Sequence, residues 1–209
     1  MKRSAAALAL AMGLTGVGNA PAGPAAKGDP AKAQDLVAKV CVGCHGMDGN
    51  GTEPTNPEFP RLAGIQAEYL AKQMREFQSG KRKSDVMAAM AAPLSPDDIL
   101  NLSAYFAAQP RKPNTVKNPG MLEAGKKFYH DGNPDEGVPA CAGCHLPDAR
   151  GTDRYPHLAG QHAPYVYQQL KKFGSSEREN DRGLVMQSLA MRMTDEQMKA
   201  VAEYVASLR

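Results

Sequence analysis

Net charge is nearly absent from this 209-residue chain, in which 25 lysines and arginines face 22 aspartates and glutamates. Two of the basic residues, Lys2 and Arg3, stand at the start; residues 27–113 carry eleven basic and ten acidic side chains, and residues 114–209 carry twelve of each. Such a balance gives no basis for binding nucleic acid or an acidic membrane surface. The short runs Lys81-Arg82-Lys83 and Lys171-Lys172 read as solvated helix ends or loops, or as part of a docking surface. Long apolar runs are scarce as well. The only candidate, residues 5–17, is shorter than the ~20 apolar residues of a spanning helix. With its basic start and the Ala/Gly/Pro-rich stretch behind it, that segment reads as a secretory signal peptide, taken as residues 1–26 with small-residue cleavage positions at Ala20 and Ala22. The mature chain is then exported, and its length suits two small domains better than one. Strand signal is sparse throughout.

Cysteine is confined to two places. All four cysteines fall in two copies of Cys-x-x-Cys-His, at Cys41, Cys44 and His45 and at Cys141, Cys144 and His145. This pentapeptide is the signature of covalent c-type haem attachment: two thiols add to the haem vinyl groups, and the adjacent imidazole reaches the iron. A thioredoxin-like dithiol would sit near a βαβ pattern, which the sequence does not offer. One zinc held by four thiolates, or a disulfide, would not need a histidine after each second cysteine. The expectation is two covalently bound haem c groups.

The motif belongs to a longer repeat. Gly51-Thr52 recurs with the cysteines 100 residues later as Gly151-Thr152. Pro60, Leu62-Ala63-Gly64, Tyr69, Gln73 and Phe77 recur at a spacing of 96, as Pro156, Leu158-Ala159-Gly160, Tyr165, Gln169 and Phe173, and Tyr105 pairs with Tyr204 at 99. Between the copies runs a Pro- and Asn-containing linker, Pro110 to Gly120, stiffened by its prolines. The organisation expected is an all-α chain of two modules, 27–113 and 114–209, each a few helices around one haem. In the first, Asp29 caps and Pro30 opens a helix running into the haem motif; a second covers about 67–77; a third starts at Ser95-Pro96, with Asp97 and Asp98 facing the helix dipole. In the second module Thr194 and Gln197 form a capping box before the last helix.

The repeat also selects the ligand for the opposite face of each iron. His130, His157 and His162 have no histidine at the matching position, His157 falling on Arg61, and read as surface residues. Most of the eleven methionines are expected to fill cores. At the spacing of 99, Met87 falls on Met186, whereas Met90 falls on Leu189, and Met191 and Met193 fall on Ala92 and Leu94. Met87 and Met186 therefore read as the sixth ligands, each in a loop entering the last helix of its module, and Met90 as core. His/Met ligation fills both axial positions and gives low-spin iron suited to electron transfer rather than to bond-making.

The two CxxCH motifs, FPRLAG (59–64) with YPHLAG (155–160), and the stretch from Met87 to Ser95 resemble the dihaem cytochrome c4 family over nearly the whole mature chain. The resemblance implies two class I cytochrome c domains with ligands His45, Met87, His145 and Met186 and thioethers at Cys41, Cys44, Cys141 and Cys144. It implies that the carbonyls of Pro60 and Pro156 accept hydrogen bonds from the ligand imidazoles. A periplasmic monomer is expected, passing electrons from a quinol-oxidising complex or other donor to a terminal oxidase or another cytochrome or copper protein; loose membrane association stays open. The rival readings are a dihaem subunit of a larger dehydrogenase and a dihaem peroxidase, the latter needing a haem that releases its sixth ligand.

Overall fold

The computed structural model describes residues 27–51 and 58–209. The segment read as a signal peptide, and Thr52 of the first Gly-Thr pair, lie outside the described residues. Ten α-helices and short 3-10 and π turns make up the regular structure among the described residues, and an isolated antiparallel bridge between Asn133 and Val138 is the only strand-like pairing there.

The first helix, α1 (Pro30–Leu36), starts as its sequence dictates: the Asp29 carboxylate accepts from the Ala31 amide at 3.0 Å and Pro30 occupies the first turn. It continues through a π turn, Val37–Cys41, into α2 (Val42–His45), which carries the haem motif. Helices α3 (Ala67–Gln78), α4 (Asp85–Ala91) and α5 (Pro96–Ala107) complete the first half, and α5 begins with a capping box between Ser95 and Asp98. The second half repeats the order with α6 (Leu122–Asp131), α7 (Ala142–His145), α8 (Ala163–Gly174), α9 (Val185–Ala190) and α10 (Asp195–Ser207), whose capping box joins Thr194 and Gln197. Here the approach to the haem motif is not continuous. Gly132, at φ +70°, ends α6, and the Asn133–Val138 bridge closes a loop before α7.

Each half has its own core. Val37, Ile65, Leu70, Leu102 and Phe106 pack together in the first, and Phe128, Tyr129, Leu170, Phe173, Val201 and Val205 in the second. The first and last helices cross in both halves, α1 on α5 and α6 on α10, and glycine allows the approach. A Cβ at position 28 would lie 2.0 Å from the Leu100 carbonyl oxygen, and one at 125 would lie 2.1 Å from that of Ala200. Gly125→Ala is expected to destabilise the second module by about 1–3 kcal/mol or more, because backbone rather than a yielding side chain meets the new methyl. Gly120→Ala, with nothing within 4 Å, serves as the control in the same denaturant titration.

Candidate functional site

The haem motifs sit on the short helices α2 and α7, so Cys41 and Cys44, like Cys141 and Cys144, lie a turn apart and flank the histidine's helix. All four thiols are free and half-buried. Before haem is attached, burial, with the neighbouring Cys44 or Cys144 adding to it, pushes Cys41 and Cys141 up to about 11, so both are thiols at neutral pH. Among the described residues no group of three or more His, Cys, Asp or Glu side chains is placed to hold a metal ion, which removes the geometry of a single four-thiolate zinc site.

Both motif histidines are buried and held in one orientation. His45 Nδ1 lies 2.9 Å from the Pro60 carbonyl oxygen and His145 Nδ1 lies 3.1 Å from that of Pro156. A carbonyl only accepts, so each Nδ1 carries the proton and each Nε2 presents its lone pair. Burial lowers both imidazole pKa values, against the opposing effect of the proline carbonyl. The outcome is a neutral, oriented donor, the form in which imidazole binds iron, with basicity enhanced by its hydrogen bond.

The loops that supply the proline carbonyls are built alike. The Gly51 and Gly151 amides bond to the His45 and His145 carbonyls at 2.8 and 2.9 Å. The Leu62 and Ala63 amides converge on the Gly49 carbonyl, and those of Leu158 and Ala159 on that of Ala149. Gly64 and Gly160 then bond to Phe106 and Val205 on the closing helices, at 2.9 and 2.7 Å. The repeated Leu-Ala-Gly therefore ties the proline loop to both the haem motif and the last helix.

Met87 and Met186 are both half-buried and lie on α4 and α9, not in loops as the sequence reading had them. The Ser84 hydroxyl accepts from the Met87 amide at 3.3 Å, and the Asp181 carboxylate accepts from the Met186 amide at 2.6 Å. Ser84 is the N-cap of α4, whereas Asp181 reaches the Met186 amide from ahead of α9; with only six or seven residues in each helix, the sequence gives little periodicity to read. Met90 departs from its expected place in the core: it is 43 % exposed on the outer side of α4. Met191 is more exposed still, and Met193 is half-buried against the second core.

The remaining histidines are not surface residues. His130 Nε2 is 2.9 Å from the Tyr204 hydroxyl, while His157 and His162 lie where the two halves meet. His157 Nδ1–H donates to the Gly64 carbonyl at 3.0 Å, its amide donates to the Gln66 side chain, and His162 is buried so close to Gly51 that a Cβ there would come within 2.6 Å of its Nε2. Around them the halves clasp each other. The Arg61 amide donates to Gln161 Oε1 at 2.8 Å, Gln161 Nε2 donates to the Arg61 carbonyl at 2.9 Å, and the Arg111 guanidinium bridges the Ala63 and Ala159 carbonyls. Burial first, then nearby cations (Arg111 and Arg150 for His157; Arg61, Lys117 and Arg111 for His162), push both imidazoles down to about 4. An unfolded histidine titrates near its ordinary 6.5, so these groups favour the folded form above that pH, and their contribution is lost as pH falls towards 4. The denaturant midpoint should drop between pH 7 and 4.5, and His157→Gln should flatten that drop. An equal drop in the variant would discount the histidine.

Two modules with oriented imidazoles beside paired thiols define a tandem c-type cytochrome, and the cytochrome c family model matches residues 30–109 and 122–209. Cytochrome c4 of Pseudomonas aeruginosa is 39 % identical, over 100 % of both chains. The crystal structure of reduced recombinant cytochrome c4 from Pseudomonas stutzeri superposes with a TM-score of 0.81 at 36 % identity, covering 87 % of this chain and 100 % of the other. The thiosulfate dehydrogenase electron acceptor of Thiomonas intermedia is 37 % identical over 81 % of this chain and 79 % of its own. The chain belongs to the cytochrome c4 family, as the motifs anticipated. It is a dihaem, all-α electron-transfer protein, not an enzyme, and carries haem c covalently. No helix among the described residues is long and apolar enough to cross a membrane.

Proposed function

We propose that Cys41, Cys44, Cys141 and Cys144 form the thioether links, that His45 with Met87 and His145 with Met186 are the axial ligands, and that the protein shuttles single electrons in the periplasm from a quinol-oxidising complex or other donor to a terminal oxidase. The observation that carries this reading is the pair of imidazoles, each protonated on Nδ1 by its bond to a proline carbonyl and turned with Nε2 free to coordinate. Bound haem supplies a one-electron iron couple. The chain's own residues fix the histidine, hold a thioether on a separate helix, and fill both axial positions, so that oxygen or peroxide finds no open site. A soft thioether favours the ferrous state and raises the potential.

The module boundary at 113/114 is supported by where the linker bonds. The Lys112 amide bonds to Asn50 and the Lys112 and Pro113 carbonyls accept from Arg61 of the first half, whereas Asn114, Lys117 and Asn118 bond to Gly160, Gln161 and Glu203 of the second; the Arg111 guanidinium reaches both. The mature chain is assigned a start after residue 26 and a monomeric state. A redox titration followed through the visible spectrum tests the proposal: it should show two low-spin haems with a methionine-to-iron charge-transfer band in the oxidised protein. A mass corresponding to one haem, or a high-spin spectrum for half the iron, overturns it.

A second reading, a carrier that serves a dehydrogenase, is favoured by the likeness to a thiosulfate dehydrogenase electron acceptor. Reduction by such an enzyme at catalytic rates, absent with a quinol-oxidising complex, would select it.

A further inference from the structure

The segments that lead into the two methionine helices are held by the opposite module. Arg82, five residues before Met87, is buried; its Nη1 donates to Gln73 of its own module at 2.7 Å, while Nη2 crosses to the Tyr165 hydroxyl at 2.8 Å and Gln169 Oε1 at 2.9 Å. Arg178, 96 residues on, does the reverse. Its Nη1 donates to Gln169 of its own module at 2.7 Å, and Nη2 crosses to the Tyr69 hydroxyl at 3.0 Å and Gln73 Oε1 at 3.3 Å. Each guanidinium also lies over a phenylalanine of its own α3 or α8, Phe77 at 4.6 Å and Phe173 at 4.4 Å. The two arginines obey a spacing of 96 but the two methionines 99, so three extra residues lie between Arg178 and Met186.

Those extra residues add anchors. Asn180 Nδ2 donates to Gln73 Oε1 at 2.9 Å and to Glu76 Oε2 at 2.6 Å, and Lys72 Nζ reaches both Glu76 and the Asn180 carbonyl. The next residue, Asp181, is the one whose carboxylate accepts from the Met186 amide. Hydrogen bonds therefore run from Glu76 of the first module through Asn180 to the backbone beside the second module's methionine. Among the described residues the first module's segment has fewer crossing bonds, those of Arg82.

We propose that Arg82 and Arg178 are positioning residues that keep each methionine on its iron by docking its segment on the neighbouring module, more firmly in the second module than in the first. The inference rests on Met87 and Met186 being the sixth ligands. It requires a cross-module effect: a change in one module should loosen the methionine of the other, which a residue serving only its own module's packing would not do.

Tyr69→Phe is the sharpest test, since it removes one hydroxyl from the first module and leaves the ring. In the full-length holoprotein carrying Met87→Ala, the remaining methionine-to-iron band reports the second module alone. Titration with imidazole, which competes with methionine for the iron, should show about a tenfold or greater rise in apparent affinity when Tyr69→Phe is added, the scale of one lost hydrogen bond to a charged group. The mirror variant, Tyr165→Phe in the Met186→Ala protein, should loosen Met87. Unchanged imidazole affinity in both, with the bands intact, overturns the cross-module role. Persistence of the full band in the Met87→Ala, Met186→Ala double variant would instead overturn the ligand assignment, which separates the two failures.

Discussion

Met87→Ala is expected to remove half of the methionine-to-iron charge-transfer band, leave one haem with an open sixth position and lower its potential, while Met186→Ala does the same to the other haem. The expectation follows from the repeat, in which only these two methionines match, and from their placement on equivalent short helices, where an upstream side chain holds each methionine's amide. Losing a thioether that favours ferrous iron shifts the couple towards the oxidised form. Neighbouring methionines provide the contrast. Met90 is 43 % and Met191 64 % exposed, so truncating either should change stability by no more than about 0.5 kcal/mol and leave the band whole. Met193, half-buried against the second core, should cost stability without affecting the band. A protein in which Met90→Ala abolishes one haem's band and Met87→Ala spares it would show that the repeat has been aligned in the wrong register.

Covalent motif, repeat and long helices were legible in the sequence because each rests on local chemistry. CxxCH needs no neighbour to be recognised, and Asp29-Pro30, Ser95-Pro96 and Thr194 with Gln197 announce helix starts within four residues. What the modules do to each other was not legible. Arg82 lies between two lysines and reads as part of a solvated run, yet it is buried against Tyr165 and Gln169, more than eighty residues away. His157 and His162 lack repeat partners and read as surface for that reason, but the seam between unequal halves is where unmatched residues belong. One signal was available: Arg82 and Arg178 stand at the same spacing of 96 as Tyr69 with Tyr165 and Gln73 with Gln169, and polar residues that recur in the register of the core residues mark a shared buried contact. Met90 was misread because a helix of seven residues places some apolar side chains outward whatever their type.

Separating the modules should change both potentials. The linker is bonded to both halves through Arg111, Lys112, Asn114 and Lys117, and the Arg61–Gln161, Arg82–Tyr165 and Arg178–Tyr69 contacts hold the halves together, so charge on one haem acts on the other through protein rather than bulk water. Oxidising one haem should therefore make oxidising the second harder. The two potentials should also differ intrinsically. The loop from Gly51 to Pro60 is four residues longer than that from Gly151 to Pro156, and buried Glu76 has Lys172 at its matching position. Burial pushes the Glu76 carboxyl up, but hydrogen bonds from Lys72 and Asn180 outweigh it and keep the group ionised, so the two modules differ in charge at this position. Expressing residues 27–116 and 117–209 separately and titrating each against the intact protein tests this, with the methionine band of each fragment showing whether its ligand has stayed in place. Where the band survives, the shift in potential reports the loss of the neighbouring module rather than the loss of the ligand. Unchanged potentials, together with undiminished electron delivery to an oxidase by one module, would mean that the second haem takes no part in the transfer.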